Sequence, residues 1–532
     1  MPGTVTFTRT VTVAGGVFAP GHLGELTQLV PFELADEVLE RTKTVQRRLR
    51  SLPSRAGVYF VLALGLFPQL GYARVWGKLT AGLAGLPGLE VVCPSEKALR
   101  DVRRRLGPAP LKALFEVLAG PLAWPYAPGV RFMGLRTVAF DGCSSLRVPD
   151  TARNRAWLGR RRCAGGYAGY PALRLLALAE TGTRGLLGAV IAAPGEGDEP
   201  ALARRLLPRL QPGMLVLADR AYDNAAFLAD LAATGAQFLA RAKASRSPVV
   251  LQVLPDGSYL SQIGTLQLRI IDAQVGVTGA DGSHTRDRYR LITTLADHHR
   301  YPAAVLVQLY HERWEIESAF YALRHTLLAG RVLRSGDRPG AEQETWALLA
   351  LYQLLRMAMT DATATRPGTD PDRASFTTAL QAARDQLTTA TTITSPGIIT
   401  RAVLDSLLPP RRRRYSARTV KNSRSRYPTP SKSPQPAKPT TITAIDIAIT
   451  TPPAGKNTRP SPRTRRRPQP GTRRHHIITL MHTHPRRAWT GHELATTLGL
   501  PQHSLLTALA QWARTGLLKR TATATYALNT PP

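Results

Sequence analysis

The sequence predicts an α/β protein with a helical segment in front and a cationic tail behind, on three observations. From residue 136 onward, short apolar runs alternate with amphipathic helical patterns, as in a mixed sheet flanked by helices. Residues 18–120 instead repeat apolar positions at three- and four-residue spacing, as packed helices do. The net charge of +34, from 70 Lys and Arg against 36 Asp and Glu, is uneven: residues 411–474 hold 18 Lys or Arg and a single acid, Asp446. A chain of 532 residues, 43% of them hydrophobic, is long enough for about three or four domains and too apolar to be disordered throughout.

In chain order, residues 33–50, 54–67 and 71–83 read as amphipathic helices, and Ser95 is placed to cap a basic helix, EKALRDVRRRLG. Such a helix is ordinarily a solvated face, but the overall charge raises a nucleic-acid role. Strands follow in RTVAFDG, LRLLALAE (173–180), GLLGAVIAAP (185–194), MLVLADR (214–220) and QFLARAK, with helical ALARRLLPRL and NAAFLADLAATG between them. Residues 245–295 read as an inserted β-subdomain with two hairpin signals, Pro255-Asp256-Gly257-Ser258 and Ala280-Asp281-Gly282-Ser283. A long helix begins after Pro302, suited to a first turn, and runs to about residue 329.

The tail divides in two. Residues 411–474, rich in Pro, Ser and Thr, read as a disordered basic linker, a solvated tether or a sequence-blind grip on phosphate; within it ITAIDIAI (442–449) has the makings of a strand on docking. Residues 475–532 read as a winged helix-turn-helix: a first helix, a second capped by Thr490 with Glu493 three residues on, a turn at Gly499, a third helix carrying Leu505, Leu509, Trp512 and Ala513, and a small hairpin. A DNA-reading module and a protein-contact module share that pattern.

Composition also excludes. Cys93, Cys143 and Cys163 are too few and scattered for a disulfide framework or a thiolate zinc site, so a reducing cytoplasm is expected. No apolar run approaches about 18 residues, and the stretch 58–67 is too short to span a bilayer. The charge makes nucleic acid the leading partner, with no membrane role.

Two acids stand out because each closes a buried apolar run: Asp141, followed by Gly142, and Asp219. A carboxylate there is costly unless paired or metal-bound, and ligands of open α/β sheets gather at such ends. Either acid alone is equally a turn cap, and Asp223 reads as the cap of the helix near Asn224. In YHERWEIESAFYALRHTL, about 100° per residue places Tyr310, Arg313, Glu317 and Arg324 within roughly a 60° arc, beside an apolar stripe of Leu309, Ile316, Phe320 and Leu327, with Glu312 and Glu315 on the other side. Spacing alone leaves an ordinary Arg313–Glu317 pair, worth about 0.3–0.5 kcal/mol, as good a reading as a site.

The string Tyr310-x2-Arg313-x3-Glu317-x6-Arg324 closely resembles the Y-R-E-K signature of bacterial insertion-sequence transposases of the type-four family, a DDE group. AFDG around Asp141, YPALRLLALAETGTRGLLGAVIAAP, LADRAYD around Asp219, RYRLITTL and LRSGDRPGAEQETWALLALYQLLR resemble that family in the same order, covering roughly residues 16–360. Arg324 stands for the usual Lys, exchanging a point charge for a fork, and Cys143 stands where Thr is frequent.

The resemblance implies a ribonuclease-H-like core, residues 126–365 with the β-rich insertion, after a helical DNA-binding module (1–125); residues 366–410, past the reach of the resemblance, read as a helical extension. It implies Asp141, Asp219 and Glu317 as the catalytic, metal-holding triad, and Tyr310, Arg313 and Arg324 as contacts to transposon-end phosphates. Its activity would be cleavage of transposon ends and transfer of the 3′ ends to target DNA, cut-and-paste through a hairpin, by two-metal chemistry. Mg²⁺ or Mn²⁺ suits three carboxylates and needs no His or Cys, leaving His311 and His325 as surface bystanders. The implied partners are double-stranded DNA, as inverted-repeat ends and target, and a second copy in a homodimer; the implied place is the bacterial cytoplasm, at the nucleoid. The competing class is a non-catalytic DNA-binding regulator or a decayed transposase.

Overall fold

The computed structural model describes residues 23–48, 52–81, 93–388 except 161, 164–165 and 168, 397–410, 414–415, 440–452, and 473–529 except 486, 500–501, 515–516 and 523. They fall into two compact units, one within residues 1–457 and one within 458–532.

The first unit is built on one mixed sheet. Its main strands are β1 (Leu135–Arg147), β2 (Ala172–Glu180), β3 (Leu186–Ala192), β4 (Met214–Ala218), β5 (Gln237–Arg241), β6 (Leu266–Gly279), β7 (His284–Thr293) and β8 (Thr440–Ile449). The spatial order is β3-β2-β1-β4-β5-β7-β6-β8. β1, β2 and β3 are an antiparallel meander, while β4 and β5 run parallel to β1. Every residue of β4 is buried, as expected of a strand covered on both faces.

One face is covered by the helices Glu199–Arg204 and Ala225–Ala233, over a core that includes Phe140, Tyr222, Phe227 and Phe238. Against the other face packs a larger core shared by the N-terminal helices, the helical path 303–327 and the 27-residue helix Arg338–Ala364. The N-terminal helices are therefore part of the same body, and buried polar groups tie them in. Gln353 accepts from the Leu186 amide at 2.8 Å and donates to the Leu118 carbonyl at 3.1 Å, joining the long helix to the sheet and to the helix Ala109–Leu118. Arg103 of the basic helix Glu96–Leu106, which Ser95 caps, is buried against Gln343 and Glu344. That arginine is a packing residue.

Four expectations change. Residues 245–295 do contain both hairpins, with Gly257 and Gly282 at φ +82° and +76°, but they are no separate subdomain: β7 bonds directly to β5 and continues the sheet. Ten residues of the expected linker form β8, antiparallel to β6. Strict alternation explains it: Ile445, Ile447 and Ile449 pack on the core while Ala444, Asp446 and Ala448 face out, a period-two pattern hidden by the basic composition around it. Residues 416–439 and 453–472 of that linker lie outside the described residues. Asp223 is no cap; Asn224 caps its helix, and buried Asp223 accepts from the Lys243 amide at 2.7 Å and pairs with Arg246.

The long helix is the fourth change. Its path is regular over Ala303–Tyr310, tightens to a 3-10 stretch over His311–Trp314, is regular again over Glu315–Tyr321 and widens to a π stretch over Ala322–Leu327. Such interruptions within helices are frequent at functional sites.

In the second unit, helices Arg473–Thr483, Gly491–Leu498 and Gln502–Arg514 accompany a three-stranded sheet of Trp489–Thr490, Thr525–Leu528 and Leu518–Ala522. Thr490 and Glu493 form a reciprocal capping box, and Gly499 ends the helix at φ +60°. Ile477, Leu494, Leu505 and Leu509 are fully buried in its own small core.

Candidate active site

Parallel pairing brings the first two acids together. Ala139 on β1 is in register with Leu217 on β4, so Asp141 and Asp219, each two residues further on, stand side by side. Asp141 does not end its strand: β1 runs on to Arg147, and Gly142 makes no turn. Each acid commits one oxygen locally, Asp141 Oδ1 to the Gly142 amide at 2.8 Å and Asp219 Oδ1 to the Ala221 amide at 2.7 Å.

Across from them lies the helical path with Arg313 and Glu317. Arg313 is 5% exposed and donates to Glu317 Oε1 at 3.4 Å; the Glu317 side chain is 44% exposed. Burial alone would lower the Arg313 pKa, but Tyr310, Asp141, Glu317 and Asp219 outweigh it and the pKa is raised. The guanidinium thus touches Glu317 and acts at longer range on Asp141 and Asp219. Burial pushes the Asp141 carboxyl up to about 7; Arg313 pulls it down, while Glu317 and Asp219 push it further up.

The other signature residues divide. Tyr310, expected at DNA phosphates, is 3% exposed, and its hydroxyl donates to the Ala218 carbonyl at 3.1 Å, bracing the strand that leads to Asp219. Arg313 is internal too. Arg324, on the π stretch, is half-buried and donates to Ser145 Oγ near the end of β1. His311 is not a surface residue: it is packed beside Tyr289, and burial lowers its pKa. His325 is exposed, its ring against Tyr321.

Three residues escaped the sequence reading. Arg184, in the turn between β2 and β3, binds Glu315 at 2.6 Å and Asp372, so it pins the helical segment that carries Glu317. Glu199 opens a helix with its carboxyl against the Gly142 backbone, and burial and then Asp219 raise its pKa. Tyr222 is buried, and burial, then the charges of Glu199, Asp141 and Asp219, push its phenol pKa up. A lone charge beside an apolar strand and a tyrosine in LADRAYD carry no periodic signal.

A divalent ion fits this chemistry. The cluster offers hard carboxylate oxygens, and an acid held near neutrality by burial is one whose charged form lacks a compensating cation. Among the described residues no three Asp, Glu, His or Cys side chains are already drawn together around one ion position; the positive charge there is that of Arg313.

A pH measurement follows from Asp141. The folded chain holds this proton up to about pH 7, whereas a free carboxyl releases it near pH 3.8. The native state binds more protons across that window, so stability falls as pH rises through it. In metal-free buffer the wild-type chain should lose about 2–3 kcal/mol more between pH 5 and pH 8 than Asp141→Asn, from about 1.4 kcal/mol per pH unit. Equal losses in denaturant titrations of the two chains would refute the assignment.

Two family models match the chain: the insertion element 4 transposase N-terminal domain over residues 20–116 and the transposase DDE domain over residues 134–354. The transposase InsG for insertion sequence element IS4 of Escherichia coli (strain K12) is 29% identical over 419 residues, 76% of this chain and 93% of that protein. InsZ of the same strain is 29% identical over 146 residues, 27% of this chain and 48% of its own length. Among solved structures, the piggyBac transposase synaptic complex with hairpin DNA aligns with 74% of this chain and 86% of its own at 9% identity and a TM-score of 0.40. No helix of the described residues is long and apolar enough to cross a membrane.

Proposed function

The chain belongs to the insertion-element-4 DDE transposases, and from that premise we propose that it nicks DNA at transposon ends and joins the freed 3′ ends to target DNA, by a cut-and-paste route through a hairpin. What supports the proposal is the register that sets Asp141 on β1 beside Asp219, just past the end of parallel β4, with the charge of Glu317 acting on Asp141. The order and directions of β1 to β5 suit a ribonuclease-H-like core.

Asp141, Asp219 and Glu317 are the residues that would hold two Mg²⁺ or Mn²⁺ ions, which supply an activated water and charge neutralisation at the leaving oxygen. Arg313 keeps the acids together while they carry uncompensated charge, and Tyr310 fixes the β4 end so that Asp219 stays beside Asp141. Arg324, at the rim, is the group that meets a phosphate of the bound end, its fork suited to two phosphate oxygens. The cationic stretch after residue 410 grips DNA without regard to sequence, and the C-terminal unit, read as a winged helix, adds a second DNA contact. Cutting two ends together calls for a homodimer.

The test is to incubate the purified chain with duplexes carrying the inverted repeats that flank its coding sequence, with Mg²⁺ or Mn²⁺. A divalent-dependent nick at the repeat boundary is expected. Binding without cleavage under every ion would overturn the proposal in favour of a DNA-binding regulator.

Salt dependence tests the cationic stretch separately. Changing Arg463, Arg465, Arg466 and Arg467 together to Gln should reduce the slope of log affinity against log salt by about 0.9 for each phosphate that the four arginines neutralise, alike for end and unrelated DNA. Filter-binding titrations with an unchanged slope would remove the stretch from the interface.

A further inference from the structure

We infer that Glu199 is a fourth carboxylate of the divalent-ion site, seated on the Gly142 backbone and served by the Tyr222 hydroxyl. The inference rests on the metal-dependent reading above and extends the site by residues outside the triad.

The first observation is the fit between Glu199 and Gly142. A Cβ built on Gly142 would stand 2.7 Å from Glu199 Oε1 and 3.0 Å from its carboxyl carbon, so the carboxylate occupies the volume that any side chain at 142 would need. Gly142 directly follows Asp141 and is not at a turn, which leaves this close approach as what requires glycine there. Asp198 caps the short helix Glu199–Arg204 and fixes where it starts. No hydrogen bond or ion pair to the Glu199 carboxylate occurs among the described residues; Asp219 and Asp198 repel its charge and Arg174 attracts it, yet burial and the two acids prevail and its pKa is raised. A half-buried acid brought towards other acids costs free energy that Arg174 offsets in part and a further positive ligand would recover.

The second observation is Tyr222. It is 1% exposed, with its ring against Phe140 and Phe227 at centroid distances of 5.8 and 5.4 Å. Its buried hydroxyl has no hydrogen-bond partner among the described residues, and the charges acting on it are those of Glu199, Asp141, Asp219 and Arg313. Buried phenols ordinarily find an acceptor. This one belongs to the segment 220–222, which packs against the helix that Glu199 opens, and the charges of Glu199, Asp141 and Asp219 reach it. A carboxylate turned onto an ion, or a water held by the ion, supplies its acceptor. Glu199 therefore contributes an oxygen beside Asp219, and Tyr222 holds that oxygen or its water in place.

Binding of Mn²⁺ alone to the full chain, read from the electron paramagnetic resonance of free Mn²⁺, tests this without DNA or turnover. Glu199→Gln should weaken Mn²⁺ binding by about tenfold or more, and Tyr222→Phe by less, with metal-free melting midpoints not lowered, since each change removes a group that is uncompensated without the ion. Gly142→Ala should mimic Glu199→Gln, and combining the two should add little, because both remove one carboxylate. Asp219→Asn separates the failures. Loss of Mn²⁺ binding in Asp219→Asn with wild-type binding in Glu199→Gln overturns the role of Glu199 alone. Wild-type binding in both overturns the metal-dependent reading and this inference with it.

Discussion

Replacing Glu317 by glutamine should leave the chain folded and able to bind transposon-end DNA while reducing nicking by about 10³-fold or more. That loss equals about 4 kcal/mol of transition-state stabilisation, a modest demand on a group proposed to hold an ion at the reacting phosphate. The side chain is 44% exposed and meets Arg313 at 3.4 Å, so stability should change little. A pair exposed on one side in this way is worth under about 1 kcal/mol. Nicking of end-containing duplex in Mg²⁺ by Glu317→Gln at the wild-type rate would remove Glu317 from the chemistry. An ordinary i, i+4 pair on an amphipathic helix requires that wild-type rate.

The second large effect is on stability. Arg184→Leu should cost about 3–5 kcal/mol and lower the melting temperature by on the order of 10 °C. The Arg184 side chain is 9% exposed and sits between Glu315 and Asp372, whose side chains are 14% and 1% exposed. Its removal takes from two largely buried acids the cation they share. Arg184 also adopts φ +61°, a left-handed conformation rare for a residue with a side chain, which the two-sided anchoring sustains. Arg184→Lys should recover only part of the loss, because one ammonium cannot reproduce a fork that reaches two carboxylates. Thermal melts of the three chains decide this, and a fully stable Arg184→Leu would show that the triple contributes nothing.

Much of the fold was legible because it rests on local periodicity. The apolar runs of β1 to β5, the two Asp-Gly hairpins and the Thr490 capping box follow from side-chain alternation, positive-φ glycine and the unpaired amides of a helix start. The acids were legible because a carboxylate next to a buried run is conspicuous. What stayed hidden depends on what meets in space. Gly142 after Asp141 suggests a turn until Glu199 is seen lying on it, and the isoleucines of β8 sit inside a stretch whose charge masks their alternation. Arg184 and Asp372 are 188 residues apart, and nothing local announces their pairing. The arc of Tyr310, Arg313, Glu317 and Arg324 assumed a uniform helix, and a uniform helix is not what forms.

That irregularity has an angular consequence. A 3-10 stretch advances about 120° per residue against about 100° in an α-helix, so the four residues His311–Trp314 overwind the path by about 80° before Glu317 is reached. The π stretch Ala322–Leu327 advances less per residue and gives rotation back after it. The path thus keeps its overall screw phase while its middle is dialled round by nearly a quarter turn. Straightening one flank alone would swing Glu317 through that angle, away from Asp141 and Asp219, without shifting either strand; the aim of the third acid is set by the pitch of its neighbours.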